Sequence, residues 1–287
     1  MSSPVVQVLL AAVLFGTTGT AQALGPDGTT PLGVGAARLA TGGLALLLVL
    51  PLLGGRTGAA VALWRSPVGL AAGLCTALYQ VCFFAGVERA GVALGTLVTI
   101  GSGPVFAGLL AAVLLRERPE RAWVLATALC VAGLGLLSGT GGGADPVGVL
   151  LALLSGLAYA AYTVAAKHLM TGGAGSTQVM ASAFGLGGLV LLPVLALQPL
   201  EWLTTAEGVA LAGYLGLVTT TVAYVLFGRG LAVLPAGPVT TLVLAEPLVA
   251  TALGVGLLDE RLGAAGAAGA LLVLAGLVLQ GVAAGRR

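Results

Sequence analysis

The feature that most constrains this chain is a succession of apolar runs, each about 20 residues long, laid almost end to end with short gaps between them. A helix needs about 20 mainly apolar residues to cross the hydrocarbon of a bilayer. Bounded by Gly, Pro and charges, the runs fall near 4–24, 33–53, 67–86, 93–115, 121–138, 147–167, 177–197, 207–228, 238–258 and 264–283. Only 8% of the residues are charged, against about 25% in a soluble domain. Water cannot be the main solvent of such a chain. In lipid every backbone N–H and C=O must find a partner within the protein, which a helix provides for itself. The expected fold is therefore an all-α membrane protein with ten transmembrane helices, with no room for a large soluble domain.

Several chemistries are excluded at this stage. The net charge of +2 is small and scattered, unlike the clustered Lys and Arg of a nucleic-acid surface. Lys167 is the only lysine and His168 the only histidine, so neither a phosphate loop ending in GK[ST] nor an HExxH zinc helix can form. No cofactor, metal or catalytic residue is expected. Gly101-Ser102-Gly103 invites comparison with an intramembrane serine protease, but the one available histidine, His168, sits at a span end. Cys75, Cys82 and Cys130 all lie in apolar stretches and read as packing thiols.

The first run ends in Ala21-Gln22-Ala23, an A-x-A pattern. Met1 to Pro4 carries no Lys or Arg, however, so the positive region of a leader is missing and the run reads as a first span. Alternating the gaps places Arg56, Arg65, Arg116, Arg118, Arg121, Lys167, Arg229, Arg286 and Arg287 on one side, and Arg89 and Arg261 on the other. The richer side is expected to be cytoplasmic, with both termini. Trp64, Trp123 and Trp202 fall near span ends and are expected to form an interfacial belt.

An internal repeat sets the architecture. Laid on itself in the register that puts Pro104 on Pro247, the chain also brings Glu117 onto Glu260, Arg118 onto Arg261 and Gly133 onto Gly276, with 13 identities over 104–138 against 247–281. A register one position longer lays Phe15-Gly16 on Tyr159-Ala160 and Gly86 on Gly230. The chain reads as two copies of one unit, 1–143 and 144–287, each with five spans. Because five is odd, the second copy enters the membrane in the opposite sense, giving two inverted five-helix repeats. That symmetry marks secondary transporters, in which exchanging the conformations of the halves interconverts inward-open and outward-open states.

The paired strings GPVFAGLLAAVLLRERPE and AEPLVATALGVGLLDERLG, the pairs Phe15-Gly16 and Tyr159-Ala160, and Tyr162-Thr163 after them resemble the drug/metabolite transporter superfamily, in its EamA branch. The resemblance covers essentially the whole chain. It implies a carrier of the bacterial inner membrane that exports small metabolites, amino acids or toxic compounds; members include exporters of aromatic and other amino acids. Phe15 and Tyr159 stand where members often carry Trp.

Polar side chains inside the spans are the candidate site, since each is costly in hydrocarbon unless it faces a partner or a cavity. In the first span Thr17 and Thr20 share one face, and Thr18 and Gln22 a neighbouring one. The third span offers Thr76, Tyr79 and Gln80, the sixth a stripe of Ser155, Tyr159, Tyr162 and Thr163, and the eighth Thr220 and Tyr224. Such a lining suits a small amphipathic organic substrate, most simply an amino acid. Each threonine has an alternative role in bonding its own backbone or a neighbouring helix. Glu246 lies about eight residues, roughly 12 Å, into the ninth span, just before Pro247, which cannot donate to the Val243 carbonyl. It reads either as a proton-coupling or amine-binding group or as a Glu bonded to a neighbouring helix. For Arg38, in the second span, three readings stand: a snorkelling cation, a partner for Glu246, or a clamp for a substrate carboxylate. The expected partners are thus a small-molecule substrate, the lipid bilayer and protons, with no nucleic acid and a monomeric or weakly oligomeric state. A passive facilitator is the alternative function.

Overall fold

The computed structural model describes residues 3–138, 145–257 and 263–285, and every regular element among them is helical. The helices are α1 (Pro4–Ala23), α2 (Pro31–Val49), α3 (Thr57–Ala62), α4 (Pro67–Ala90), α5 (Val92–Leu110), α6 (Arg121–Ser138), α7 (Pro146–Thr171), α8 (Ser176–Ala196), α9 (Ala206–Gly216), α10 (Ala223–Val233), α11 (Ala236–Val243), α12 (Ala245–Leu257) and α13 (Ala264–Gly285). Nine described stretches are long and apolar enough to cross a membrane, and the shorter apolar helix Arg121–Leu137 lies between the fourth and the fifth. One of the nine, Ala206–Val233, joins α9 and α10 through a π-helical turn at Leu217–Val222; another, Ala236–Leu257, joins α11 and α12.

Local chemistry starts these helices. Pro4, Pro31, Pro67 and Pro146 occupy first-turn positions, where the missing N–H costs nothing. Thr30 Oγ1 and Ser66 Oγ each accept a 3.0 Å hydrogen bond from the backbone N–H three residues on, and Asp145 Oδ1 accepts one from Val147.

The exterior is apolar: Leu44, Leu48, Val113, Leu114, Leu271 and Leu274 are all exposed. With hydrocarbon on the outside, apolar surface gains little from burial, and helices associate instead through close backbone approach at small residues. These approaches occur in repeat-related pairs. A methyl group added at Gly133 would lie 2.5 Å from the Gly269 carbonyl oxygen and 2.8 Å from the Val273 nitrogen. One added at Gly276, the repeat counterpart of Gly133, would lie 2.7 Å from the Ala126 carbonyl oxygen and 3.2 Å from the Cys130 nitrogen, and Ala126 and Cys130 are the counterparts of Gly269 and Val273. Gly86 meets Ala152 and Gly148 in the same way that Gly230, its own counterpart, meets Val8 and Pro4.

Burial corrects one sequence expectation and adds a detail the sequence did not carry. Trp202 is only 3% exposed, so its indole packs inside the protein instead of facing headgroups, while Trp64 is half-buried and its Nε1 donates to the Ser182 carbonyl oxygen at 2.9 Å. Lys167, read from the sequence only as a charge at a span end, is buried, and its Nζ donates to the carbonyl oxygens of Leu231 (2.8 Å), Ala232 (3.2 Å) and Leu234 (2.9 Å) at the end of α10. Across the adjoining corner, Glu117 Oε2 accepts from the Ala236 N–H at 3.1 Å, at the start of α11. A cation thus sits at one helix C-terminus and an anion at the next N-terminus, as the helix dipoles favour. Glu260 and Arg261, the repeat partners of Glu117 and Arg118, lie outside the described residues.

Candidate functional site

The site begins at an interruption. Pro247 has no N–H to offer Val243, and α11 ends at that residue; Leu244 forms a tight turn, its N–H bonding the Thr241 carbonyl at 3.0 Å, before α12 starts at Ala245. Glu246 therefore stands in the first turn of a half-helix, a favourable place for a carboxylate. Gly16 of α1 packs so closely on this turn that an added methyl would lie 2.8 Å from the Glu246 carbonyl oxygen.

Tyr79, Thr99, Ile100, Tyr159, Thr240, Val243, Leu244 and Glu246 enclose a cavity of about 20 Å³, room for roughly one water. Beside it runs a chain of rings from five helices. Ring centroids are 5.7 Å apart for Tyr79–Tyr159, 5.4 Å for Tyr159–Tyr162, 5.9 Å for Tyr162–Phe184, 3.8 Å for Phe184–Tyr224 and 4.9 Å for Tyr224–Phe15. The Tyr162 hydroxyl donates to that of Tyr224 at 3.5 Å, while the buried Tyr159 hydroxyl has no partner.

Arg38 lies within α2, and Glu246 stands at the start of α12 and lines the cavity. Among the described residues no ion pair joins the two, and no hydrogen bond engages the Glu246 carboxylate. The Arg38 Nε is buried without a partner.

The other sequence candidates are distributed differently. Gln80 Nε2 donates to the Gly35 carbonyl oxygen at 3.3 Å, tying α4 to α2. Thr163 Oγ1 returns its proton to the Tyr159 carbonyl at 2.9 Å. Thr220 bonds the Leu215 carbonyl at 2.9 Å inside the π-helical turn, with its Cβ against Gly42, so it serves the packing of that turn on α2. Thr17 bonds the Leu14 carbonyl at 2.7 Å and accepts from the Tyr214 hydroxyl at 2.8 Å, beside α9. Thr20 is buried on α1 and Gln22 half-buried near its end; neither lines the cavity. Sequence reasoning missed Thr99, Thr240 and Phe184. The first two look like any threonine in a span, and a phenylalanine in an apolar run carries no signal.

His168 is exposed near the end of α7, and the Ser102 hydroxyl bonds the Thr99 carbonyl at 3.3 Å. Both residues thus have ordinary structural settings.

The chain has relatives among known proteins. The EamA-like transporter family model matches residues 2–139 and again 146–281. This chain belongs to the EamA-like transporter family. It is 39% identical over 278 residues to "Uncharacterized transporter YwfM" of Bacillus subtilis, covering 95% of this chain and 91% of that protein. It is 28% identical over 282 residues to a "Probable terminal-alkyne amino-acid exporter" of Streptantibioticus cattleyicolor, covering 97% and 93%. A solved structure described as "Crystal structure of protein" superposes with a TM-score of 0.82 at 22% identity, covering 100% of this chain and 99% of that one, which establishes the likeness of fold. This EamA family member is thus a multi-span membrane protein and a transporter, and the family and relatives' names point away from an enzyme.

Proposed function

We propose that this EamA protein is a secondary active exporter of small amphipathic metabolites, with amino acids as the favoured class, working by alternating access. The observation that carries the proposal is the chamber in which Glu246 stands beside a run of aromatic rings, while the Nε of Arg38 on α2 is buried without a partner. A guanidinium suits a substrate carboxylate, a carboxylate suits an ammonium, and aromatic faces suit an apolar side chain. The name of the Streptantibioticus relative supports the same class.

The cavity is far smaller than the ~300–1,000 Å³ of a small-molecule pocket, so cargo enters only when the halves separate, as alternating access requires. The matching contacts made by the repeat counterparts Gly133 and Gly276, on Gly269 and Val273 and on Ala126 and Cys130, support ten spans arranged as inverted units 1–143 and 144–287. The charge asymmetry of the gaps supports an inner-membrane protein with both termini in the cytoplasm. Of the sequence candidates, Tyr79, Tyr159, Tyr162, Tyr224 and Arg38 are assigned to cargo, and Glu246 to cargo ammonium or proton coupling.

The test is counterflow in proteoliposomes preloaded with unlabelled amino acid. The wild type is expected to take up labelled amino acid at least tenfold faster than from empty vesicles, and Glu246→Ala is expected to abolish that stimulation. Equal uptake into loaded and empty vesicles would point to a passive pore and refute the carrier.

A further inference from the structure

The small cavity beside Glu246 has an inventory of oxygen atoms that the transport reading does not explain. Val243 and Ile100, equivalent positions of the two repeats, both line it, and each stands four residues before a proline, Pro247 and Pro104. Proline has no N–H to return, so both carbonyls lose their helical partner at this one place. Val243 is also the last residue of half-helix α11, where the dipole leaves partial negative charge.

The two threonines in the lining point the same way. Thr99 Oγ1 donates its proton to the Ala152 carbonyl at 3.1 Å, and Thr240 Oγ1 donates to the carbonyls of Ala236 (3.1 Å) and Gly237 (2.8 Å). With their protons committed outward, these buried hydroxyls have only lone pairs left to offer. The Glu246 carboxylate, free of any hydrogen bond among the described residues, completes the set. Among the cavity's side chains only the Tyr79 and Tyr159 hydroxyls retain a proton to give. Those two hydroxyls are the donors a water would use; every other oxygen of the lining offers lone pairs alone, which is what a bare cation needs.

We propose that this cavity is a binding site for one sodium ion, held by the Glu246 carboxylate, the hydroxyl oxygens of Thr99 and Thr240 and the carbonyls of Ile100 and Val243. Its volume of about 20 Å³ admits one small ion and excludes an organic cation. Hard cations take oxygen ligands, and interrupted transporter helices supply them as carbonyls at half-helix ends. Two ligands come from α5 in 1–143 and three from α11 and α12 in 144–287, so the ion bridges the units whose separation the alternating-access reading requires; the proposal rests on that reading for its role in transport, but not for binding itself.

The purified full-length protein in detergent is melted in sodium, potassium or choline chloride at one ionic strength, and its retention of radioactive sodium is counted. Sodium alone is expected to raise the melting temperature, by at least about 3 °C, with one ion retained per chain. Glu246→Gln and Thr240→Val should each abolish both effects, while Thr219→Val, at a buried threonine bonded to Leu215 away from the cavity, should preserve them. Equal melting in sodium and choline, or no retained sodium in the wild type, overturns the site without reference to any variant's folding. If an amino acid stabilises the protein through Glu246 and sodium does not, the carboxylate serves cargo ammonium and the ion site falls, leaving the carrier standing. Loss of counterflow with sodium still bound would refute the carrier alone.

Discussion

Gly16 and Gly19 lie three residues apart on α1, yet alanine at the two positions should have opposite effects. At Gly19 nothing lies within 4 Å of the added methyl, so Gly19→Ala gains only helix propensity, up to about 1 kcal/mol. At Gly16 the methyl would sit 2.6 Å from Val249 Cβ and 2.8 Å from the Glu246 carbonyl oxygen. Ordinary contact begins near 3.4 Å, so α1 and α12 must part by about 0.8 Å. Neither obstacle is the free end of a flexible chain: one is a β-branched carbon and the other is backbone. Overpacking of this kind costs about 1–3 kcal/mol, or roughly 2–9 °C in melting temperature for a chain of this size. The displaced turn is the one that carries Glu246, so Gly16→Ala should also slow counterflow, with Gly19→Ala matching the wild type. The assays are thermal unfolding in detergent and proteoliposome counterflow. Equal melting temperatures for the two variants would refute the claim that close backbone approach, and not glycine content as such, seats the span Ala236–Leu257.

Two further outcomes follow from the same geometry. Replacing Lys167 with Met strips a partner from the carbonyls of Leu231, Ala232 and Leu234; with about 1–3 kcal/mol lost per buried unpaired group and no full additivity, chemical denaturation should register a loss of about 3 kcal/mol. The Thr127 and Thr241 hydroxyls meet at 2.8 Å between α6 and α11; a double-mutant cycle with valine at each should return a coupling of about 0.6 kcal/mol.

A good deal of this molecule was readable before any coordinate. The apolar runs announce the helices, the stripe of Tyr159 and Tyr162 reaches the chamber, and the juxtaposition of Glu246 with Pro247 marks the interruption that falls at Leu244. Other assignments scattered: Thr17, Thr163 and Thr220 look equivalent to Thr99 and Thr240 in the sequence, but only the last two line the cavity. Lys167 was legible only as a charge at a span end, because the three carbonyls it seeks lie more than 60 positions away.

The division has a physical cause. In lipid each stretch must satisfy its own backbone and present an apolar surface by itself, so spans, prolines and misplaced charges are written locally and can be read from the string. Which faces meet is settled by where backbones approach within contact distance, and a chain with 47 glycines offers that opportunity almost everywhere. Only the packed tertiary structure selects Gly16 against the Glu246 turn and Gly133 against Gly269, and so decides which few oxygens and rings face one another at the centre.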